Sequence, residues 1–253
     1  FKAESGAGAI LMNFACHPVT GGMDADGNKY RVSSDYIHYV RRTVESAWGF
    51  PCFFTLGAAG DAVPRNRFGE SRKRIGSILG ESIVLADRMF AGTGDDPSLE
   101  VRTIRKTVDS NLPIDQEQHE SEYEKMRKTA IEAKKRNDES EDAKEAFVDA
   151  MRRYFRSRLY PAGTHEVEIS FVRIGPVLFV TLPFEVLSEF SIRLKEQFPD
   201  TALLSCTNGY QGYLPFRYEY DRGGYEATKK STHFREGTTD ELFELVCREI
   251  DRA

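Results

Sequence analysis

Gly175-Pro176-Val177-Leu178-Phe179-Val180-Thr181-Leu182-Pro183-Phe184-Glu185 is the stretch on which the fold turns. Its six-residue apolar run is strand-sized and has no polar alternation, as a strand buried on both faces requires. It is the richest apolar run of the chain and is far too short to cross a bilayer. Gly175-Pro176 makes a turn, and residues 165–174 before it place Val167, Ile169 and Phe171 at alternate positions. The pair therefore reads as a hairpin whose first strand has one buried face. Beyond the run, a helix is predicted from Glu185, with Leu187, Phe190 and Leu194 on one side.

Working outward, residues 9–15 form an apolar strand, and a Gly- and Asp-rich loop covers 21–29. A helix capped near Ser34 then runs through Val40 and Val44. Residues 50–56 read as a second buried strand, ended by the turn Gly57-Ala58-Ala59-Gly60-Asp61. Ile75, Leu79, Ile83 and Phe90 recur at helical spacing. Residues 202–206 are a short strand, and a capping box from Thr238 to Glu241 opens a last helix carrying Leu242, Val246 and Ile250. Strands alternating with helices give an α/β fold, with a mixed sheet, flanking helices and partly parallel pairing. Residues 113–162 depart from this pattern. They are charge-dense, with pairs such as Glu124/Lys128 and Glu132/Arg136, a polar break at 137–140, and an apolar stripe of Phe147, Met151, Tyr154 and Phe155. We read them as a charged helical hairpin laid on the outside of one domain spanning 1–253.

The composition bounds the rest. With 253 residues, 40% hydrophobic, the chain can fill one substantial core or two small ones. A net charge of −5 does not suit a nucleic-acid partner, which needs a basic face. Four scattered cysteines form no CxxC motif and read mostly as small buried thiols, with a stapling disulfide as the alternative. The start, Phe1-Lys2-Ala3-Glu4, carries neither an initiator Met nor a signal-peptide pattern, and reads as that of a processed or excised piece. No transmembrane segment is expected.

Polar groups gather at four strand ends, where α/β sheets place their sites. His17, fixed by Pro18, follows the first strand and is either a ligand or a satisfied structural residue. Asp61 and Arg65 follow the second strand, where they hold each other, hold a substrate, or merely stabilise a turn. Glu185 follows the buried strand and needs a cation or a helix N-terminus, which its own predicted helix supplies equally well. The loop Asn208-Gly209-Tyr210-Gln211-Gly212-Tyr213 and the phenols after it suit a pocket wall or plain aromatic packing.

In their order, these segments resemble the neutral/alkaline ceramidases. Asn13-Phe14-Ala15-Cys16-His17-Pro18-Val19-Thr20 is similar to the strand of that family that ends in a zinc-binding His. Ser33-Ser34-Asp35-Tyr36 is similar to its next motif, residues 57–66 to its Gly-Asp-Val-Ser-Pro-Asn signature, Leu182-Pro183-Phe184-Glu185 to its zinc-binding Glu element, and Tyr210 through Glu226 to its Tyr-rich segment. The resemblance implies a zinc amidohydrolase cleaving a small-molecule or lipid N-acyl substrate, in a secreted or periplasmic setting. His17, Glu185 and Tyr213 would be zinc ligands. Tyr225 and Asp61 would be catalytic, and Arg65, Asn66 and Tyr210 would bind substrate. Three features depart from the pattern. Val63 stands at the signature serine, an upstream His motif is absent so that the zinc set is one ligand short, and no immunoglobulin-like domain follows. The alternatives are a non-catalytic ligand-binding relative and an interaction domain working through the charged hairpin.

Overall fold

The computed structural model describes residues 6–20, 32–89, 98–110, 115–136, 140–159, 163–228 and 231–252. The first half runs β1 (Ile10–Phe14), α1 (Asp35–Trp48), β2 (Cys52–Leu56), α2 (Ser71–Met89), β3 (Leu99–Asp109), α3 (Gln116–Lys135) and α4 (Glu141–Leu159). The second half runs β4 (Thr164–Ile174), β5 (Val177–Thr181), β6 (Glu185–Val186), α5 (Ser188–Gln197), β7 (Thr201–Leu204), β8 (Tyr213–Leu214), α6 (Arg217–Arg222) and α7 (Thr238–Ile250). This is an α/β fold with mixed pairing. The 21–29 loop, Phe90 and most of the 137–140 break lie outside the described residues.

The hairpin of β4 and β5 anchors a four-stranded sheet ordered β3-β4-β5-β7. Residues 178–181 of β5 are all buried, as a strand flanked on both faces must be. Helix α5 carries the chain over to β7, which pairs parallel with β5. Val167, Ile169 and Phe171 of β4 face a core shared with Phe190 and Leu194 of α5 and Leu242 and Val246 of α7. A smaller core of Met12, Tyr36, Val40, Val44 and Cys52 fills the space between the parallel pair β1/β2 and helices α1 and α2. The two cores are joined at strand ends. Ser205 donates its N–H to the Leu56 carbonyl at 2.8 Å, and the Asn13 amide reaches the Leu203 carbonyl at 3.0 Å.

Four local expectations change. No strand is predicted over 99–109, yet β3 pairs antiparallel with β4 along its whole length. Of its residues only Val108 is buried, so an edge strand leaves almost no period-2 signal. It is fastened by Arg102, which bonds Glu249 of α7 and lies 4.6 Å over the Phe171 ring. Glu185 does not open a helix but sits in a two-residue strand, and α5 begins at Ser188. The capping box of α7 does not form. Gly237 takes the N-cap position, Glu241 pairs with Arg235, and the Thr239 hydroxyl goes to the Pro215 carbonyl. Finally, the Ser34 side chain makes no cap, and the Asp35 carboxylate instead accepts the Tyr36 N–H at 2.7 Å.

Helices α3 and α4 form the charged hairpin. Tyr123 stacks on Tyr154 at 4.4 Å between centroids, with Phe147 and Phe155 beside them. Asp115 caps α3 by accepting the Gln118 N–H. All four cysteines are free thiols, so the alternative of a stapling disulfide is not realised. Among the described residues, no helix is long and apolar enough to cross a membrane.

Phe184 is fully buried and meets Phe234 edge-to-face at 5.4 Å. Phe184→Ala should therefore cost about 3–5 kcal/mol in urea unfolding, the range for a large aromatic cavity. Phe155→Ala on the hairpin, where the ring is 50% exposed, should stay within about 1 kcal/mol. Equal costs at the two positions would contradict this assignment of the core.

Candidate functional site

The turn after β2 acts as a bracket between two otherwise separate segments. His17 donates its backbone N–H to the Ala62 carbonyl at 2.9 Å, and Gly60 donates its own to the Val186 carbonyl at 2.8 Å. A Cβ on Gly60 would lie 2.9 Å from that same carbonyl, so the approach needs glycine. Asp61 then accepts both the N–H and the hydroxyl of Ser188, each at 2.7 Å. Its carboxylate thereby caps α5 from a distance, at the helix end that favours negative charge. The bracket fixes His17 and the Glu185 segment relative to one another.

A second backbone device brings in the phenols. Strands β6 and β8 pair parallel with Glu185 opposite Tyr213, which puts those two side chains on one face. The connecting loop doubles back through Gln211, whose N–H meets the Pro183 carbonyl at 2.7 Å, and Gly212, whose carbonyl accepts the Glu185 N–H at 2.9 Å. Gly212 has φ +82°, and a Cβ there would stand 2.6 Å from the Ser231 carbonyl. Alternation along the strand sends Phe184 into the core and Glu185 out of it.

The result is a carboxylate surrounded by donors. Glu185 Oε2 lies 2.7 Å from His17 Nε2, and Oε1 accepts the Tyr210 hydroxyl at 2.7 Å. Tyr213 also hydrogen-bonds this carboxylate. Burial by itself would raise the Glu185 pKa, but the hydrogen bonds from His17, Tyr213 and Tyr210 outweigh it and hold the group below the ordinary carboxylate range. The Glu185 hydrogen bond raises the pKa of His17, against the opposing effect of burial. With Glu185 ionised, the proton of the pair belongs on His17 Nε2. Burial first, the hydrogen bond to Glu185 second and its charge third push both Tyr210 and Tyr213 upward, so the phenols stay protonated. The Tyr225 ring packs edge-on against Tyr213 at 5.7 Å and is 62% exposed, at the mouth of the cluster.

Thus His17, Glu185, Tyr210, Tyr213 and Tyr225 come together, although they are spread over more than 200 residues of sequence. Asp61 uses both oxygens on Ser188 rather than on Arg65. Arg65 and Asn66 are exposed on the same turn, where Asn66 accepts the Phe68 N–H at 3.2 Å. Val63, at the position of the signature serine, is 50% exposed. Two neighbours escaped the sequence reading. Ser188 is the partner of Asp61, and a serine opening a helix was the available signal. Cys206 is held at φ +51°, and burial followed by the Glu185 charge raises its thiol to about 11. The sequence places this cysteine at the end of a short strand, whereas β7 stops at Leu204 and Cys206 sits in the turn beyond it.

Imidazole nitrogen, carboxylate and phenol oxygens are donors that zinc accepts. His17, Glu185 and Tyr213 fit three positions of such a site, their side chains already gathered around the Glu185 carboxylate. Among the described residues no cluster of three or more His, Cys, Asp or Glu side chains supplies the remainder. The set is a partial one.

No protein-family model matches the sequence, and no curated protein does. Solved structures share the fold, two of them over 97% of the chain. One is the neutral ceramidase from Pseudomonas aeruginosa, with a TM-score of 0.58 and 16% identity. The other is a ceramidase complexed with C2, with a TM-score of 0.59 and 15% identity. The chain spans 44% and 45% of those two chains. Its fold is therefore ceramidase-like.

The His17–Glu185 pair sets a pH window for stability. The raised His17 pKa gives a contribution that is full below the ordinary value of 6.5 and is lost as pH rises through the folded pKa. The lowered Glu185 pKa gives one that is full above 4.5 and is lost as pH falls through the folded pKa. In chelator-treated protein, the stability difference between wild type and Glu185→Gln should thus peak between about pH 4.5 and 6.5 and shrink on both sides. Urea unfolding across pH 3–9 would check this, and a flat difference would contradict the pairing.

Proposed function

We propose that this chain is the metal-site portion of a zinc-dependent amide hydrolase acting on an N-acyl, ceramide-like substrate, with residues 1–253 as one catalytic domain and 113–162 as its helical excursion. The observation that carries the reading is the convergence of His17, Glu185 and Tyr213 beneath an exposed Tyr225, at strand ends of a ceramidase-like fold. His17, Glu185 and Tyr213 would hold the ion. When bound, zinc supplies Lewis acidity and a water acidic enough to attack near neutral pH. The remaining roles belong to the chain itself. Tyr210 holds Glu185 in orientation through its 2.7 Å hydrogen bond. Tyr225, exposed at the mouth of the cluster, donates its hydroxyl to the substrate carbonyl oxygen as negative charge develops there. Asp61 keeps the Glu185 segment in place through Ser188, and Arg65 and Asn66 offer polar contacts on the open side of the same turn.

Val63 favours a second reading, a non-catalytic relative that binds the same ligand. A valine offers neither a nucleophile nor a hydrogen-bond donor, so any step needing the serine hydroxyl is lost at this position.

Two substitutions in the full-length protein separate these roles. Tyr225→Phe should keep the fold and the zinc while lowering turnover of N-acyl amides by about 10²–10³, the usual loss for one oxyanion donor. Tyr213→Phe should lower zinc content first. Zinc analysis alongside a panel of N-acyl amides reads both effects. A wild-type protein that holds zinc but cleaves none of the panel supports the binding relative. If both variants match wild type in metal and hydrolysis, the Tyr-rich loop is packing and the site assignment falls.

A further inference from the structure

His17 rides on the loop Cys16-His17-Pro18-Val19-Thr20, and one element, the start of α1, ties down both ends of it. At the far end Thr20, itself buried, donates its N–H to Asp35 Oδ2 at 2.7 Å and its hydroxyl to Asp35 Oδ1 at 2.5 Å. At the near end the Tyr36 hydroxyl donates to the Cys16 carbonyl at 2.5 Å. The Tyr36 ring is fully buried between Phe14 and Phe54, meeting each edge-on at 6.2 Å, so the loop is referenced to the end of β1 and the middle of β2. Asp35 is 5% exposed and held at φ +56°, a left-handed conformation that a residue with a Cβ adopts only when its surroundings enforce it. A plain helix-end carboxylate would be satisfied by the Tyr36 N–H. Among the described residues, two of its three donors come from Thr20, fifteen residues upstream.

We propose that Asp35 is a positioning residue for the site: by gripping Thr20 while Tyr36 grips Cys16, it fixes the loop that presents the His17 imidazole to Glu185. The role rests on the reading of His17 as a site residue, and it acts without Asp35 touching substrate or metal.

The test uses the full-length protein with Asp35→Asn, Thr20→Ser and Thr20→Val. Asparagine keeps the volume but replaces one acceptor oxygen with an N–H₂ that faces donors. Two readouts are needed. One is the downfield imidazole proton of the His17–Glu185 hydrogen bond in chelator-treated protein, assigned by its loss in His17→Gln. The other is zinc affinity by chelator competition. Asp35→Asn should remain folded by circular dichroism, lose the imidazole signal, and bind zinc about 10- to 100-fold more weakly, as outer partners of metal ligands do. Thr20→Ser, which keeps both donors, should match wild type, and Thr20→Val should weaken both readouts. A folded Asp35→Asn protein with both readouts unchanged overturns the proposal. If Asp35→Asn does not fold, the two Thr20 variants decide, and equal behaviour of Ser and Val overturns it. A wild type that binds no zinc but whose imidazole signal still depends on Asp35 supports the positioning role while the metal reading fails.

Discussion

A half-buried carboxylate that stays ionised is the constraint on which the rest of this site depends. Taking Glu185 partly out of water raises its free energy unless donors replace the lost hydration. The chain supplies three, the imidazole of His17 and the hydroxyls of Tyr210 and Tyr213. They come from segments far apart in sequence, so the carboxylate is stable only when the ends of β1, β5 and β7 are brought together. The same requirement explains the protonation pattern. Burial and the hydrogen bond to Glu185 keep the phenols protonated, the hydrogen bond to Glu185 raises the His17 pKa, and the site is left with a charged acceptor ringed by O–H and N–H groups.

Backbone geometry meets that requirement. The turn of residues 57–62 bonds His17 through Ala62, Val186 through Gly60 and Ser188 through Asp61. Two glycines mark where main chains approach too closely for a Cβ, Gly60 against Val186 and Gly212 against Ser231. These contacts belong to the backbone and to short side chains. The fold they hold together is shared with ceramidases at 15–16% identity. The charged hairpin of α3 and α4 is stabilised by its own aromatic stack and is organised separately from the site.

Much of this architecture was legible. The unbroken apolar run of β5 announced a strand buried on both faces, and the alternation of Val167, Ile169 and Phe171 gave β4 its core face. His17, Glu185 and Tyr213 as one set were implied by the resemblance of the ordered segments to the ceramidases, whereas each residue read singly left a structural role open. Strand β3 was silent because its residues are mostly exposed, and an edge strand need not alternate. The helix expected at Glu185 fails for a related reason. Periodicity in Leu187, Phe190 and Leu194 fixes a helix face but not its first turn, and Glu185 and Val186 are taken by pairing with β8.

The sequence by itself determined which residues are apolar and at what period, hence an α/β chain whose strands end in polar groups. Only the tertiary structure decided how those groups divide their partners. Asp61 and Glu185 both follow a buried strand, and of the two only Glu185 reads from sequence as a helix cap. Asp61 caps α5, and Glu185 is left to the imidazole and the phenols. That division depends on distances between segments up to 168 residues apart, and local pattern carries no information on them. A hydrogen bond of 2.7 Å exists or fails within a few tenths of an ångström, whereas hydrophobic periodicity specifies only a face.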